Sequence, residues 1–229
     1  MSELNEIYTK KKFNMIEKKY NIFFEDKSLL VKAFIHSSYS SKTNHNYQRL
    51  EFLGDSILDM ILADYLYRQN QENTEGDLSK QRSALVNERS LAFVVRQEGL
   101  IDYIVVGKSM IGDNVIDFDS FTSDVYESFV ASIYLDKGYK KAEEFVKKTL
   151  FTYWDDIINL EDNIDFKTKL QELLQVNGAI EITYETHKHN NEFRAKVILD
   201  GLVIGRGKGR TKKKAEQLAA KDALNKGDM

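Results

Sequence analysis

Two short runs of carboxylates stand where helical spacing would gather them. Glu51 and Asp55 lie four apart in Arg49-Leu50-Glu51-Phe52-Leu53-Gly54-Asp55-Ser56, and Asp124 and Glu127 lie three apart in Ser123-Asp124-Val125-Tyr126-Glu127-Ser128-Phe129. On an α-helix either spacing puts both side chains on one face, where like charges repel and a cation between them would relieve the repulsion. Two helices each offering such a pair would make an all-oxygen site suited to Mg²⁺ or Mn²⁺. The chemistry of such a site is phosphodiester hydrolysis. The ion lowers the pKa of a bound water, orients it in line and stabilises charge on the leaving oxygen, so no nucleophilic side chain is needed. A solvated acidic face would show the same spacing, and spacing alone leaves both readings open.

The elements that must position these groups are legible from hydrophobic period. From Phe13 to about Tyr153 the apolar spacing is mostly helical. Leu50, Leu53, Ile57 and Ile61 form one stripe; Val125, Phe129, Ala131, Ile133 and Leu135 form a densely apolar segment that predicts a buried helix; Leu85 to Val95 predicts another. Turn-rich breaks fall at Ser37–Asn46, Asn70–Gly76, Gly107–Asp119 and Lys137–Gly138. The first unit, residues 1–160, is therefore expected to be all-α, with a linker near Leu160–Ile164.

After that the period changes. Phe166–Gln175 predicts a helix with Leu170, Leu173 and Leu174 on one side. Ile180, Ile182 and Tyr184 alternate with polar residues, as do Phe193, Ala195 and Val197, each run predicting a strand. Asp200-Gly201 signals a hairpin leading into a third strand over Leu202–Ile204, and Thr211–Leu224 closes as a helix. Residues 164–229 thus read as a small α+β unit of order α-β-β-β-α.

The chain has 229 residues, no cysteine and no proline. Without cysteine, disulfide staples, thiolate zinc sites and a cysteine nucleophile are excluded. No run approaches the roughly 18 apolar residues of a membrane span, and Met-Ser-Glu-Leu-Asn-Glu at the start lacks a signal-peptide pattern, so a cytoplasmic setting is expected. The net charge of −3 hides an asymmetry. Residues 164–229 carry 13 Lys+Arg against 9 Asp+Glu, or +4, whereas the remainder carries 20 against 27, or −7. An acidic first unit and a basic second one suit metal holding and nucleic-acid holding respectively.

The basic run Gly205-Arg206-Gly207-Lys208-Gly209-Arg210-Thr211-Lys212-Lys213-Lys214-Ala215-Glu216 joins a strand to a helix. A nucleotide-binding P-loop occupies the same kind of junction. Here Lys208 is followed by glycine and the glycine spacing is wrong, so no nucleotide cofactor is expected. What remains is a helix N-terminus with three successive lysines, which either meets phosphate or is simply solvated.

The run Arg49 to Ser56 resembles the signature of the ribonuclease III family. His36-Ser37-Ser38-Tyr39, Glu75-Gly76-Asp77-Leu78-Ser79, Leu85-Val86-Asn87-Glu88 and Asp124-Val125-Tyr126-Glu127, with Ala131 to Asp136 beyond, resemble further family elements along nearly the whole chain. The α-β-β-β-α tail with its lysines resembles the double-stranded RNA-binding domain. The resemblance implies a Mg²⁺-dependent, double-strand-specific endoribonuclease acting as a homodimer, with Mn²⁺ able to substitute. It would leave 5′-phosphate and 3′-hydroxyl ends with short 3′ overhangs, on ribosomal RNA precursors and other structured transcripts.

By position, Glu51, Asp55, Asp124 and Glu127 match the four metal carboxylates, with Asp55 and Glu127 the most critical for catalysis. Glu75 matches an acidic residue near the cleavage valley that helps position RNA or the partner subunit. Phe52 matches an aromatic residue of the dimer interface, although its local sequence fits a core phenylalanine equally well. Thr168, Gln171, Glu172 and Gln175 on the tail's first helix, His189 in the first strand–strand loop, and Lys212, Lys213 and Lys214 match RNA-contacting positions. These domains read A-form shape through 2′-hydroxyls and phosphates. Gln48 departs from the family's usual Glu and supplies no charge, and His36 reads as structural. A catalytically dead relative would have lost a carboxylate, and all four are present. A small-molecule phosphohydrolase would have no RNA-binding tail.

Overall fold

The longest helix, α4 (Gln48–Gln69), starts where Asn46 caps it, the Asn46 Oδ1 accepting the Gln48 amide at 3.1 Å. It buries Leu50, Gly54, Ile57, Leu58, Ile61, Leu62 and Leu66, an unbroken stripe at helical period. In this computed structural model, residues 3–40, 45–69, 71–110, 118–160, 165–175 and 182–227 are described. They divide into two units, Met1–Leu160 and Glu161–Met229.

In the first unit, α1 (Glu3–Lys10), α2 (Asn14–Tyr20) and α3 (Lys27–Lys32) precede α4; α5 (Glu75–Val86), α6 (Glu88–Gln97), α7 (Asp119–Lys137), α8 (Tyr139–Thr149) and α9 (Trp154–Ile158) follow it. Helix α7 is the axis of the core, with Val125, Tyr126, Phe129, Val130 and Ile133 fully buried. Phe129 meets Phe34, Tyr20 and Phe145 at ring-centroid distances of 5.2, 6.0 and 4.8 Å. The contact between α4 and α7 is made backbone to backbone. A Cβ on Gly54 would lie 1.9 Å from the carbonyl oxygen of Glu127, so only glycine lets the two carboxylate-bearing helices approach this closely. Ser128 Oγ donates to the Ala33 carbonyl at 2.6 Å, and Arg96 pairs with Asp119 at 2.7 Å, fixing α7 to the end of α3 and to α6.

Three expectations need correction here. The helix expected from Leu85 to Val95 is two helices. Asn87 leaves helical geometry (ψ 155°) and its side chain caps α6 by accepting the Ser90 amide. The start of α5 is a capping box between Thr74 and Asp77, so Glu75 and Gly76 are helical and not part of the preceding turn. Leu135 is exposed because, two residues past the buried Ile133, it lies on the opposite face of α7, while Asp136 beside it accepts the Glu25 and Asp26 amides. Among the described residues no helix is long and apolar enough to cross a membrane.

The second unit runs α10 (Phe166–Gln175), β1 (Ile182–His189), β2 (Glu192–Leu199), β3 (Leu202–Gly209) and α11 (Lys212–Gly227), with an antiparallel sheet of order β1-β2-β3. The β2–β3 turn uses Asp200 (φ 48°) and Gly201 (φ 81°), the left-handed pair that a tight hairpin requires. Leu170, Ala195 and Val197 are buried with Ala215, Ala219, Ala220 and Ala223 of α11. Leu173 is exposed, contrary to its expected place beside Leu170 and Leu174. The third strand also runs further than Ile204. Gly205, Gly207 and Gly209 belong to β3, and a Cβ on each would lie 2.2, 2.3 and 2.7 Å from α11 backbone atoms. Their lack of side chains lets the alanine face of α11 lie directly on the sheet. Ile180 and most of the expected linker, residues 161–164, lie outside the described residues.

Candidate active site

Glu51 on α4 and Asp124 and Glu127 on α7 converge. Each offers a carboxylate oxygen within 4.8 Å of the other two. The close α4–α7 approach at Gly54 brings this about, since Gly54 sits against Glu127 and three residues beyond Glu51. All three side chains are half-buried. Burial, with repulsion from Glu51, pushes Asp124 up to about 7. Burial, with repulsion from Asp55, Asp124, Glu51 and Asp59, pushes Glu127 up to about 8. Glu51 is raised by burial and by Asp55. A partly desolvated carboxylate cluster pressed toward protonation fits a divalent cation, which would compensate both the burial and the mutual repulsion. The all-oxygen donor set is that of a hard cation.

Asp55 is exposed, one turn after Glu51, and is not within the 4.8 Å group. Its charge nevertheless acts on both Glu51 and Glu127. Two more carboxylates border the cluster that sequence reasoning does not single out. Asp59 adds to the field at Glu127 and pairs with Arg82 at 3.6 Å, and Glu88 adds to the field at Asp124. Asp59 is four residues beyond Asp55, so continuing the spacing along α4 is the signal that would find it. Tyr47 is a further addition: its hydroxyl donates to Asp124 Oδ2 at 3.0 Å.

The remaining candidates of the first unit are on its surface. Phe52 is 80% exposed, which excludes the core reading. Glu75 is exposed on the first turn of α5, accepts the Ser79 hydroxyl at 2.9 Å, and lines an open groove of about 440 Å³ with Ala63, Leu66, Tyr67 and Arg82. Gln48 is exposed. The His36 ring lies edge-on to Phe121 at 4.6 Å, beside the Ser38 hydroxyl at 2.7 Å, and burial lowers its pKa, all in keeping with a packing role.

In the second unit Thr168 is held by the Asp165 carboxylate through its amide (3.0 Å) and hydroxyl (2.8 Å), which orders the first turn of α10. Gln171 and Glu172 are exposed on the same helix; the Gln175 side chain lies outside the described residues. His189 is the last residue of β1, opposite Glu192, and not in the loop itself; it is exposed. Lys212, Lys213 and Lys214 form the first turn of α11, capped by Thr211, whose hydroxyl accepts the Lys214 amide at 3.1 Å. Lys212 and Lys213 are exposed, and Lys214 is half-buried. Glu216, one turn on, is drawn to Lys167 at 2.8 Å and Lys212 at 3.9 Å. Three lysines at the positive end of a helix dipole suit bound phosphate.

Residues 26–154 match the family model described as Ribonuclease-III-like, and residues 166–226 match the double-stranded RNA binding motif. The Ribonuclease 3 of Pelotomaculum thermopropionicum is 39% identical over 227 residues, covering 95% of this chain and 94% of the relative. The chain belongs to the ribonuclease III family. The Ribonuclease 3 of Streptococcus gordonii is 38% identical, with 95% of this chain and 97% of the relative covered. Among solved structures, a nuclease domain of ribonuclease III from Campylobacter jejuni, described as flexible in a region involved in dimer formation, superposes with a TM-score of 0.58. It is 34% identical and covers 61% of this chain and 96% of that one. This ribonuclease III-family chain thus spans nearly the full length of its relatives, from the carboxylate helices to the helix of the second unit that opens on three lysines.

Proposed function

We propose that Glu51, Asp55, Asp124 and Glu127 form the hydrolytic centre of this endoribonuclease, and that the second unit holds its double-stranded RNA substrate. The observation that carries the reading is the convergence of Glu51, Asp124 and Glu127 within 4.8 Å, two of them raised into the neutral range. Glu51, Asp124 and Glu127, with Asp55 at the cluster's exposed edge, would hold Mg²⁺, or Mn²⁺ in its place. When bound, the ion supplies an activated water and charge stabilisation at the scissile phosphate. The carboxylates would hold the ion in register, and with water as the nucleophile no nucleophilic side chain is needed. Cleavage would leave 5′-phosphate and 3′-hydroxyl ends, and ribosomal RNA precursors are the substrates we favour. Lys212, Lys213 and Lys214 would meet phosphates, while Thr168, Gln171, Glu172, Gln175 and His189 would face the minor grooves.

The experiment is a duplex-RNA assay on the full chain. A long RNA duplex should be cut in Mg²⁺ and left intact in EDTA, and a single strand of the same sequence should persist. The double substitution Lys212→Ala/Lys213→Ala should weaken duplex binding whatever the sequence, and flatten log Kd against log salt by roughly 0.7 to 0.9 for each lysine–phosphate pairing removed. An unchanged slope would show these lysines to be merely solvated. Metal-independent or single-strand cutting would overturn the reading.

We also propose a homodimer in which Phe52 is covered by the partner and Glu75 lies near the junction of RNA and partner subunit. A phenylalanine 80% exposed on α4, one residue from a metal carboxylate, is the observation behind it; two sites on one duplex would produce short 3′ overhangs. The full chain should sediment as a dimer at micromolar concentration, and Phe52→Asp should shift it toward monomer, because an interface carboxylate would be buried unpaired. A clean wild-type monomer contradicts the assignment.

A further inference from the structure

Tyr47 is the residue at which the two halves of the carboxylate cluster meet. Its backbone carbonyl accepts the amides of Leu50 (2.8 Å) and Glu51 (2.9 Å), so it opens α4 and sets the first turn on which Glu51 stands. Its own amide donates to the Ile35 carbonyl at 2.9 Å, tying that turn to the segment whose Ile35 pairs in parallel with Val105. Its side chain reaches the other helix, where the hydroxyl donates to Asp124 Oδ2 at 3.0 Å.

The ring has little freedom to do otherwise. Tyr47 is buried, with the His36 ring at 5.6 Å and the Phe121 ring at 6.0 Å, and His36 and Phe121 are themselves in edge contact at 4.6 Å. Phe121 stands on α7 one turn before Asp124. The same helix that carries the carboxylate therefore also clamps the ring that points at it. A carboxylate on a short side chain rotates about two bonds; a hydrogen bond from a ring held by its neighbours removes that freedom.

We propose that Tyr47 is a positioning residue that orients the Asp124 carboxylate for the cation and couples it to Glu51 across the α4–α7 contact. The inference rests on the metal-site reading above. A hydroxyl in this relation to a ligand carboxylate contributes about tenfold, and up to roughly a hundredfold, to metal affinity. It touches no substrate and no reacting atom.

The test is titration of the full chain with Mn²⁺ alone, without RNA, followed by electron paramagnetic resonance of the free ion. Wild type, Tyr47→Phe, Tyr47→Leu and Glu127→Ala are compared, with thermal unfolding of each in EDTA. Tyr47→Phe keeps the ring and should unfold at nearly the wild-type temperature, while its Mn²⁺ Kd rises about tenfold; duplex cleavage should recover as Mg²⁺ is raised. Tyr47→Leu should lose thermal stability in addition, which separates the ring's packing role from the hydroxyl's. Wild-type Mn²⁺ affinity in a folded Tyr47→Phe chain, with Glu127→Ala impaired, overturns the Tyr47 proposal and leaves the metal site standing. Failure of wild type to bind Mn²⁺ removes both.

Discussion

Stripped of metal with EDTA, the protein should become less heat-stable as pH rises from about 6.5 to about 8.5, and Mg²⁺ should reverse the loss. The sign follows from linkage. Asp124 and Glu127 titrate at about 7 and about 8 in the folded chain, and Glu51 is also raised, whereas in the unfolded chain carboxylates titrate near about 4. Between those limits the folded state binds more protons than the unfolded state, so stability falls as pH climbs through the folded values and levels off above them. The carboxylates lowered by their partners, among them Glu17, Glu98 and Asp136, lose their contribution only on strong acidification, outside this window. His36, lowered by burial, acts in the opposite sense but below about 6.5. Mg²⁺ binds the ionised cluster, so its stabilisation should be greatest at the alkaline end. At a hundred times Kd it contributes about 2.7 kcal/mol, or roughly 5 to 10 °C in the melting temperature of a chain this size. Calorimetric titration near neutral pH in two buffers should show proton release on binding. A flat profile in EDTA and no response to Mg²⁺ would mean that the cluster is a solvated acidic face.

Much of this site is legible in the amino-acid sequence. The i, i+4 and i, i+3 carboxylate spacings and the apolar stripes of α4 and α7 place all four carboxylates on helices, where they stand in the fold. What spacing cannot carry is convergence between helices. That depends on Gly54 lying against the Glu127 backbone, and a lone glycine inside a helical pattern reads locally as a weak point, not as a contact. Tyr47 is invisible for the same reason, since its partner is 77 residues away. The break at Asn87 falls in the polar run Asn87-Glu88-Arg89-Ser90, which fits the solvent side of one continuous helix as well as a cap between two. In the second unit, Gly205 to Gly209 reads as a junction because glycine shows no side-chain pattern. Yet the alternation Gly-Arg-Gly-Lys-Gly is itself period 2, with glycines facing α11 and cations facing out.

Glu127→Ala tests the central claim most directly, through separate measurements of duplex cleavage and duplex binding. Glu127 belongs to the 4.8 Å trio and bears the field of Asp55, Asp124, Glu51 and Asp59. Removing it takes one ligand from the cluster, and phosphodiester hydrolysis depends on the ion being held in register, so cleavage should fall by orders of magnitude. The second unit is untouched, and duplex affinity, which rests on phosphate contacts, should stay within about twofold of wild type. Unfolding is not an available explanation for a loss of activity, because deleting a half-buried, strained carboxylate should leave the EDTA-treated protein at least as heat-stable. Glu127→Gln, which keeps the side chain's size, should behave alike. The account predicts a folded protein that binds RNA duplex and does not cut it; near wild-type cleavage by Glu127→Ala in Mg²⁺ would contradict it.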